Sequence, residues 1–201
     1  MSGQTVAILF YSTYGHVAQL AEAEKRGIEA AGGKAVIYQI PEILSDEILA
    51  KMHAPKKPNY PVATTDILTK YDAFLFGYPT RYGTPCAQFR AFWDATGGLW
   101  ARGELHGKYF GQFFSTGTQG GGQETTGLTA LTSFVHHGMI YVPLGYKNTF
   151  AIASDLGSVH GGSSYGAGTF AGADGSRSPS EQELTVATTQ GEQFYRTVFR
   201  V

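Results

Sequence analysis

Ser12, Thr13 and Gly15 lie in the stretch of this sequence best suited to holding an anion. The run Ser12-Thr13-Tyr14-Gly15-His16-Val17 follows an apolar segment and precedes a helix-periodic one. Two hydroxyls and the free amides of a helix start therefore share one turn, a nest suited to a phosphate monoester. The loop holds no Lys or Arg, so it would act through neutral donors and the helix dipole. The same residues also read as an ordinary serine N-cap, and this loop alone does not choose between the two. Two further stretches carry comparable groups: Pro79-Thr80-Arg81-Tyr82-Gly83, and Ser115-Thr116-Gly117-Thr118-Gln119-Gly120-Gly121-Gly122.

Those loops act together only if the fold gathers them. Apolar runs at 5–11, 34–40, 72–78, 109–115 and 139–144 read as strands, the first nearly continuous, as a strand covered on both faces requires. Between them come helical patterns: Val17, Leu20, Ala21, Ile28 and Ala31; then Cys86, Phe89, Phe92 and Trp93, ended by Gly97-Gly98; then Leu128, Leu131 and Val135 on one face. The last helix has a stripe of Leu184, Ala187, Gly191, Phe194, Tyr195 and Val198. Ser178-Pro179-Ser180-Glu181 reads as its capping box, with proline at the first helical position. Strand and helix alternating five times predict a doubly wound α/β fold in one domain, 1–201, with a five-stranded parallel sheet. Such sheets bind ligands at the carboxyl ends of their strands. All three polar loops fall at that edge, and they suit a flat, phosphate-bearing cofactor, flavin mononucleotide (FMN), in the strand order 2-1-3-4-5.

Two connections exceed what the sheet needs. Residues 41–71 hold four prolines around a short helical segment at 42–53, and residues 154–178 are rich in Gly and Ser. A long loop of this kind inside a compact fold is a site element or a disordered segment.

Composition excludes several function classes. The 201 residues carry a formal net charge of -1, which gives no basis for nucleic-acid binding. Only 15% are charged, against a norm of ~25%, as expected where an oligomer hides part of the surface. A single cysteine, Cys86, precludes an intramolecular disulfide and any multi-thiolate zinc site. No leader-like pattern follows Met1 and no apolar run spans a bilayer, so a cytoplasmic protein is expected.

Other motifs fail on context. The Gly-x-Ser-x-Gly match at 162–166 lacks the flanking strand and helix of a hydrolase elbow, and no histidine follows His160. Residues 103–109 are one residue short of a P-loop and end in tyrosine where a hydroxyl must bind magnesium. His136-His137 has no third ligand at metal spacing, so no metal is expected.

Together the motifs resemble the WrbA family of flavodoxin-like NAD(P)H:quinone oxidoreductases, in its fungal and plant branch. The resemblance rests on Tyr-Ser-Thr-Tyr-Gly-His at 11–16, Pro-Thr-Arg-Tyr-Gly at 79–83, Ala-Thr-Gly-Gly-Leu-Trp at 95–100 and the run at 115–126. It extends to His-His-Gly-Met at 136–139 and Ala-Gly-Ala-Asp-Gly-Ser-Arg at 171–177, and so covers nearly the whole chain. Tyr82 stands where the family usually has phenylalanine, and Gln119 lengthens its loop by one residue against bacterial members.

The resemblance implies FMN as cofactor and NAD(P)H and a quinone as substrates that share one pocket by a ping-pong mechanism. It makes residues 12–17 the phosphate loop, places 80–82 beside the isoalloxazine ring and 115–120 on its other side, and puts His136 near the flavin. Tyr14 becomes the nicotinamide-side tyrosine. Trp100 and the 154–178 loop would reach the pocket of a neighbouring subunit in a homotetramer. Arg81, at the pyrimidine edge of the ring, would favour two-electron over one-electron chemistry. The alternative is a flavodoxin-like electron carrier without turnover; such carriers are strongly acidic for docking, and this chain is near neutral.

Overall fold

The computed structural model describes residues 4–201; Met1 to Gly3, the start of the segment in which no leader is expected, lie outside the described residues. The sheet runs β2-β1-β3-β5-β6, all parallel. Its strands are β1 (Thr5–Phe10), β2 (Lys34–Gln39), β3 (Ala73–Arg81), β5 (Tyr109–Thr116) and β6 (Ile140–Tyr141). Two short strands lie off this path: β4 (Thr84–Pro85) pairs antiparallel with β3, and β7 (Gly168–Phe170) pairs parallel with β5. Setting the hairpin strand β4 aside, the path is the expected order.

Alternation along β1 explains the two cores. Ala7, Leu9 and Tyr11 face one layer, with Phe76, Phe89, Trp93 and Phe134. Val6, Ile8 and Phe10 face the other, with Leu20, Ile28, Phe194 and Tyr195. The first layer is built from α4 (Ala87–Asp94) and α6 (Gln123–His136), the second from α1 (His16–Ala30) and α8 (Glu181–Phe199). Helices α1 and α8 touch backbone to backbone: a Cβ at Gly27 would lie 1.9 Å from the Thr188 carbonyl oxygen, and one at Gly191 2.1 Å from that of Glu24.

Several local expectations are corrected. The fifth strand, expected over 139–144, is ordered into the sheet only at Ile140–Tyr141, opposite the start of β5; β7 pairs with the end of β5. The fifth position is thus shared by two segments, and the 154–178 stretch supplies a strand instead of being structureless. Strand β3 does not stop at Pro79 but runs on to Arg81. The proline is tolerated because it lies two residues past Gly77, the last β3 residue in register with β1.

Gly97 opens a helix, α5 (Gly97–Ala101), instead of ending one, and the helical part of 42–53 is only α2 (Asp46–Lys51), capped by Ser45. A one-turn helix, α3 (Ile67–Lys70), closes that insertion, and another, α7 (Phe150–Ala153), follows β6. The capping box of α8 uses Ser180 and Glu183, two residues later than expected, because Glu183 is the carboxylate that reaches back to the cap amide. On α6 the buried face is Gln123, Thr126, Gly127, Ala130 and Phe134, while Leu128 and Val135 point outward.

Candidate functional site

At the carboxyl ends of β1, β3 and β5 the loops enclose a cavity of about 630 Å³. Ser12, Thr13, Tyr14 and His16 line it from the first loop, Thr80 and Arg81 from the second, and Ser115, Thr116 and Gly117 from the third. The strand order reverses at β1, since the chain passes to β2 on one side and then crosses to β3 on the other, and this switch point opens the crevice there.

The first loop is shaped as an anion nest. Gly15 is the N-cap of α1 at φ 94°, and its amide donates to Ser12 Oγ at 3.0 Å, folding the turn back on itself. Intrahelical bonding begins with the Gln19 amide on the Gly15 carbonyl, at 3.0 Å, so the amides just before it have no acceptor within the helix. His16 is buried, and its Nε2 lies 2.8 Å from the Arg177 carbonyl, which ties this loop to 171–177. Tyr14 is half-exposed and donates from Oη to the Met52 carbonyl at 3.0 Å.

The second loop is a tight hairpin: Thr80 and Arg81 pair with Pro85 and Thr84, and Tyr82 and Gly83 at its tip both have positive φ, 55° and 78°. Arg81 is exposed at the cavity rim, its Nη1 on the Thr80 carbonyl at 2.7 Å. In the third loop, Thr116 Oγ1 donates to the Thr118 carbonyl at 2.8 Å and accepts from Gln123 Nε2 at 3.3 Å.

Other expected site residues lie elsewhere. Val17 is packed in the core, so only its backbone faces the turn. Gly15 shapes the loop without lining the cavity. Tyr82 is fully exposed at the hairpin tip, and Thr118, Gln119 and Gly120 are exposed past the lining. Trp100 and His136 meet each other, with the indole Nε1 donating to the His136 carbonyl at 2.9 Å, in a separate shallow hollow. The reason is length: α6 starts at the cavity edge and has 14 residues, about 21 Å at 1.5 Å per residue, and His136 is its last. Within one chain His136 does not reach the cavity.

Three segments missed as site residues complete the wall: Pro79, Met52 with His53, and residues 171–175. His53 stands in the left-handed region at φ 53°. The late loop thus walls this chain's own cavity. It is held by the Ala171 amide on the Thr116 carbonyl (2.8 Å) and by Arg177, whose guanidinium bonds the fully buried Glu183 at 2.9 Å. The sole signal for it in the sequence was the 171–177 motif; nothing marked Met52 or His53. Asp174 is the anion of this wall, its carboxyl held below the usual range by the Ser176 amide and then the Ser176 hydroxyl.

The donor set fits a phosphate-bearing flavin: hydroxyls and helix-start amides on one side, a flat crevice between two backbone loops on the other, and one cation, Arg81, at the rim. Among the described residues no group of three or more His, Cys, Asp or Glu is placed to hold a metal ion, and no helix is long and apolar enough to cross a membrane.

The flavodoxin family profile matches residues 8–138. The P25 protein of Schizosaccharomyces pombe is 74% identical over 199 residues, 99% of this chain and 98% of its own length. The NAD(P)H quinone oxidoreductase PST3 of Candida albicans is 64% identical, covering 96% of this chain and 97% of that protein. Among solved structures, the flavodoxin, WrbA-like protein from Agrobacterium tumefaciens superposes with a TM-score of 0.68 at 22% identity, over 98% of this chain and 99% of that one, a likeness of fold.

Proposed function

This chain belongs to the flavodoxin family, beside the fungal NAD(P)H quinone oxidoreductases, and from that premise we propose that it is an FMN-dependent NAD(P)H:quinone oxidoreductase. The observation that carries the reading is the convergence of three strand-end loops on one cavity whose first loop is an anion nest. Ser12, Thr13 and the first amides of α1 would hold the phosphate. Thr80 and Arg81 would flank one edge of the ring, and residues 115–117 the other. When bound, the flavin supplies two-electron hydride chemistry between a nicotinamide and a quinone.

The chain's own residues do the rest. Tyr14 presents a half-exposed aromatic face at the cavity mouth, suited to stacking on a flat substrate. Arg81 offers a fixed positive charge where negative charge gathers as electrons arrive. One cavity must take the two substrates in turn, which supports ping-pong turnover. Trp100 is 57% exposed and Leu128 and Val135 project from the outer face of α6. That apolar surface supports a homotetramer in which Trp100 and His136 serve a neighbour's cavity, the route left open by their distance from their own. A lone buried thiol fits a cytoplasmic protein.

Anaerobic titration of the FMN-loaded protein with NADH, then with a benzoquinone, tests the reading. Direct bleaching in one two-electron phase followed by reoxidation is expected. A protein that NADH and NADPH cannot reduce would be an electron carrier instead.

A further inference from the structure

Below the cavity the molecule buries most of an ionised side chain that takes no part in the chemistry above. Glu42 lies at the start of the 41–71 insertion, and its carboxylate accepts five bonds. Oε2 accepts from Tyr11 Oη at 2.7 Å and from Lys57 Nζ. Oε1 accepts from Gln88 Nε2 at 2.9 Å and from the amides of Ile43 and Leu44 at 2.9 and 3.1 Å. Burial alone would raise its pKa; the bonds from Lys57, Tyr11 and Gln88 outweigh it and hold the group at about 2. The Lys57 ammonium also sits 4.2 Å from the centre of the Tyr11 ring. One carboxylate thus joins the end of β1, the insertion and α4.

Its reach extends to the cavity through two contacts. A carboxylate can only accept, so the Tyr11 proton is committed to Glu42 and the phenol oxygen can only accept from Thr13 Oγ1. That contact is 3.5 Å, at the long limit for a hydrogen bond, so it fixes where Thr13 Oγ1 sits and leaves its one proton able to turn toward an anion. Further along the insertion, the Met52 carbonyl receives Tyr14 Oη, and Met52 and His53 form a wall of the cavity.

We infer that Glu42 is a positioning residue for the cofactor phosphate: through Tyr11 it sets Thr13, and by anchoring the insertion it sets the Met52–His53 wall. Glu42 itself does not line the cavity. The inference rests on the FMN reading given above. It also opposes what charge alone predicts, since removing an anion near a phosphate site should tighten phosphate binding.

The test is titration of the apoprotein with FMN and with riboflavin, which lacks the phosphate, for the wild type, Glu42→Gln, Tyr11→Phe and the double variant. Glu42→Gln should weaken FMN about tenfold, the scale of one lost charge-assisted bond, and riboflavin less than about twofold. Tyr11→Phe should act in the same direction, and the double variant should lose little more than the larger single, because the two residues act in series. Tighter or unchanged FMN binding in Glu42→Gln, equal losses for both flavins, or additive losses would overturn the inference. Should Glu42→Gln not fold, Tyr11→Phe decides by the same FMN-to-riboflavin comparison. A wild type that binds FMN no more tightly than riboflavin removes the phosphate reading and this inference together. A wild type that prefers FMN, with a preference untouched in the variants, removes only the inference.

Discussion

Replacing Glu24 with methionine is expected to stabilise the protein, and more so at pH 7.5 than at pH 4.5. Glu24 lies on α1 where that helix meets α8; it is fully buried, and neither carboxyl oxygen has a hydrogen-bond partner. Burial pushes its pKa well above the ordinary carboxylate range. Even protonated, an unsatisfied buried polar group costs about 1–3 kcal/mol. Above the unfolded-state pKa the penalty grows: the unfolded chain has released its proton and the folded one keeps it. Stability therefore falls as pH rises, by ~1.4 kcal/mol per pH unit, until the folded-state pKa is reached. Methionine has a similar length and no polar atoms, so it fills the site and removes both terms. At pH 4.5 the gain is the desolvation part alone, and for a chain of this size each kcal/mol moves Tm by about 2–4 °C. Thermal melts of the apoprotein at matched concentration, from pH 4.5 to 8, measure the gap. Glu24→Gln isolates its pH-dependent part, since the amide stays unsatisfied but cannot ionise. A gap that is absent throughout, or that widens on acidification, would refute the reasoning.

At the cavity, Gly15→Val should weaken FMN far more than riboflavin. No atom lies within 4 Å of a Cβ there, so the effect comes from the left-handed backbone, about 1–2 kcal/mol, and not from a clash; equal losses would show that this loop does not hold the phosphate. Arg81→Ala should lower the flavin midpoint potential and slow reduction by NAD(P)H roughly thirtyfold, a barrier change of ~2 kcal/mol, with stopped-flow absorbance as the measure; an unchanged potential and rate would reduce Arg81 to a surface residue. Trp100→Ala should impair quinone turnover more than FMN binding, and dilution should lower specific activity, with FMN opposing the loss by mass action. Light scattering alongside the quinone-reductase assay checks this, and a fully active monomer would contradict it.

The apolar runs were enough to place β1, β3 and β5, because a strand buried on both faces must be nearly continuous in apolar residues, and β2 followed as the next run after the first helical stripe. Ser12, Thr13, Thr80, Arg81, Ser115 and Thr116 were legible as site residues for the same reason: each stands at or just past the end of such a run, and a parallel sheet sends every strand end to one edge. Other features depended on contacts between distant residues. Glu183 is an ordinary helix-start acid in the sequence; only the folded chain brings Gly161, Thr169 and Arg177 onto its carboxylate and so fixes the late loop beside the cavity. Glu42 likewise gains its role from Tyr11 and Gln88, 31 and 46 residues away. On α6, Leu128 and Val135, seven residues apart, lie on one stripe that faces outward while Phe134 lies on the buried one, since periodicity defines a stripe without saying which stripe the sheet covers. The separation of Trp100 and His136 from their own cavity was also a matter of tertiary structure: motif order records which residues accompany one another, while the length of α6 puts His136, with Trp100 bonded to it, at the helix end away from the cavity.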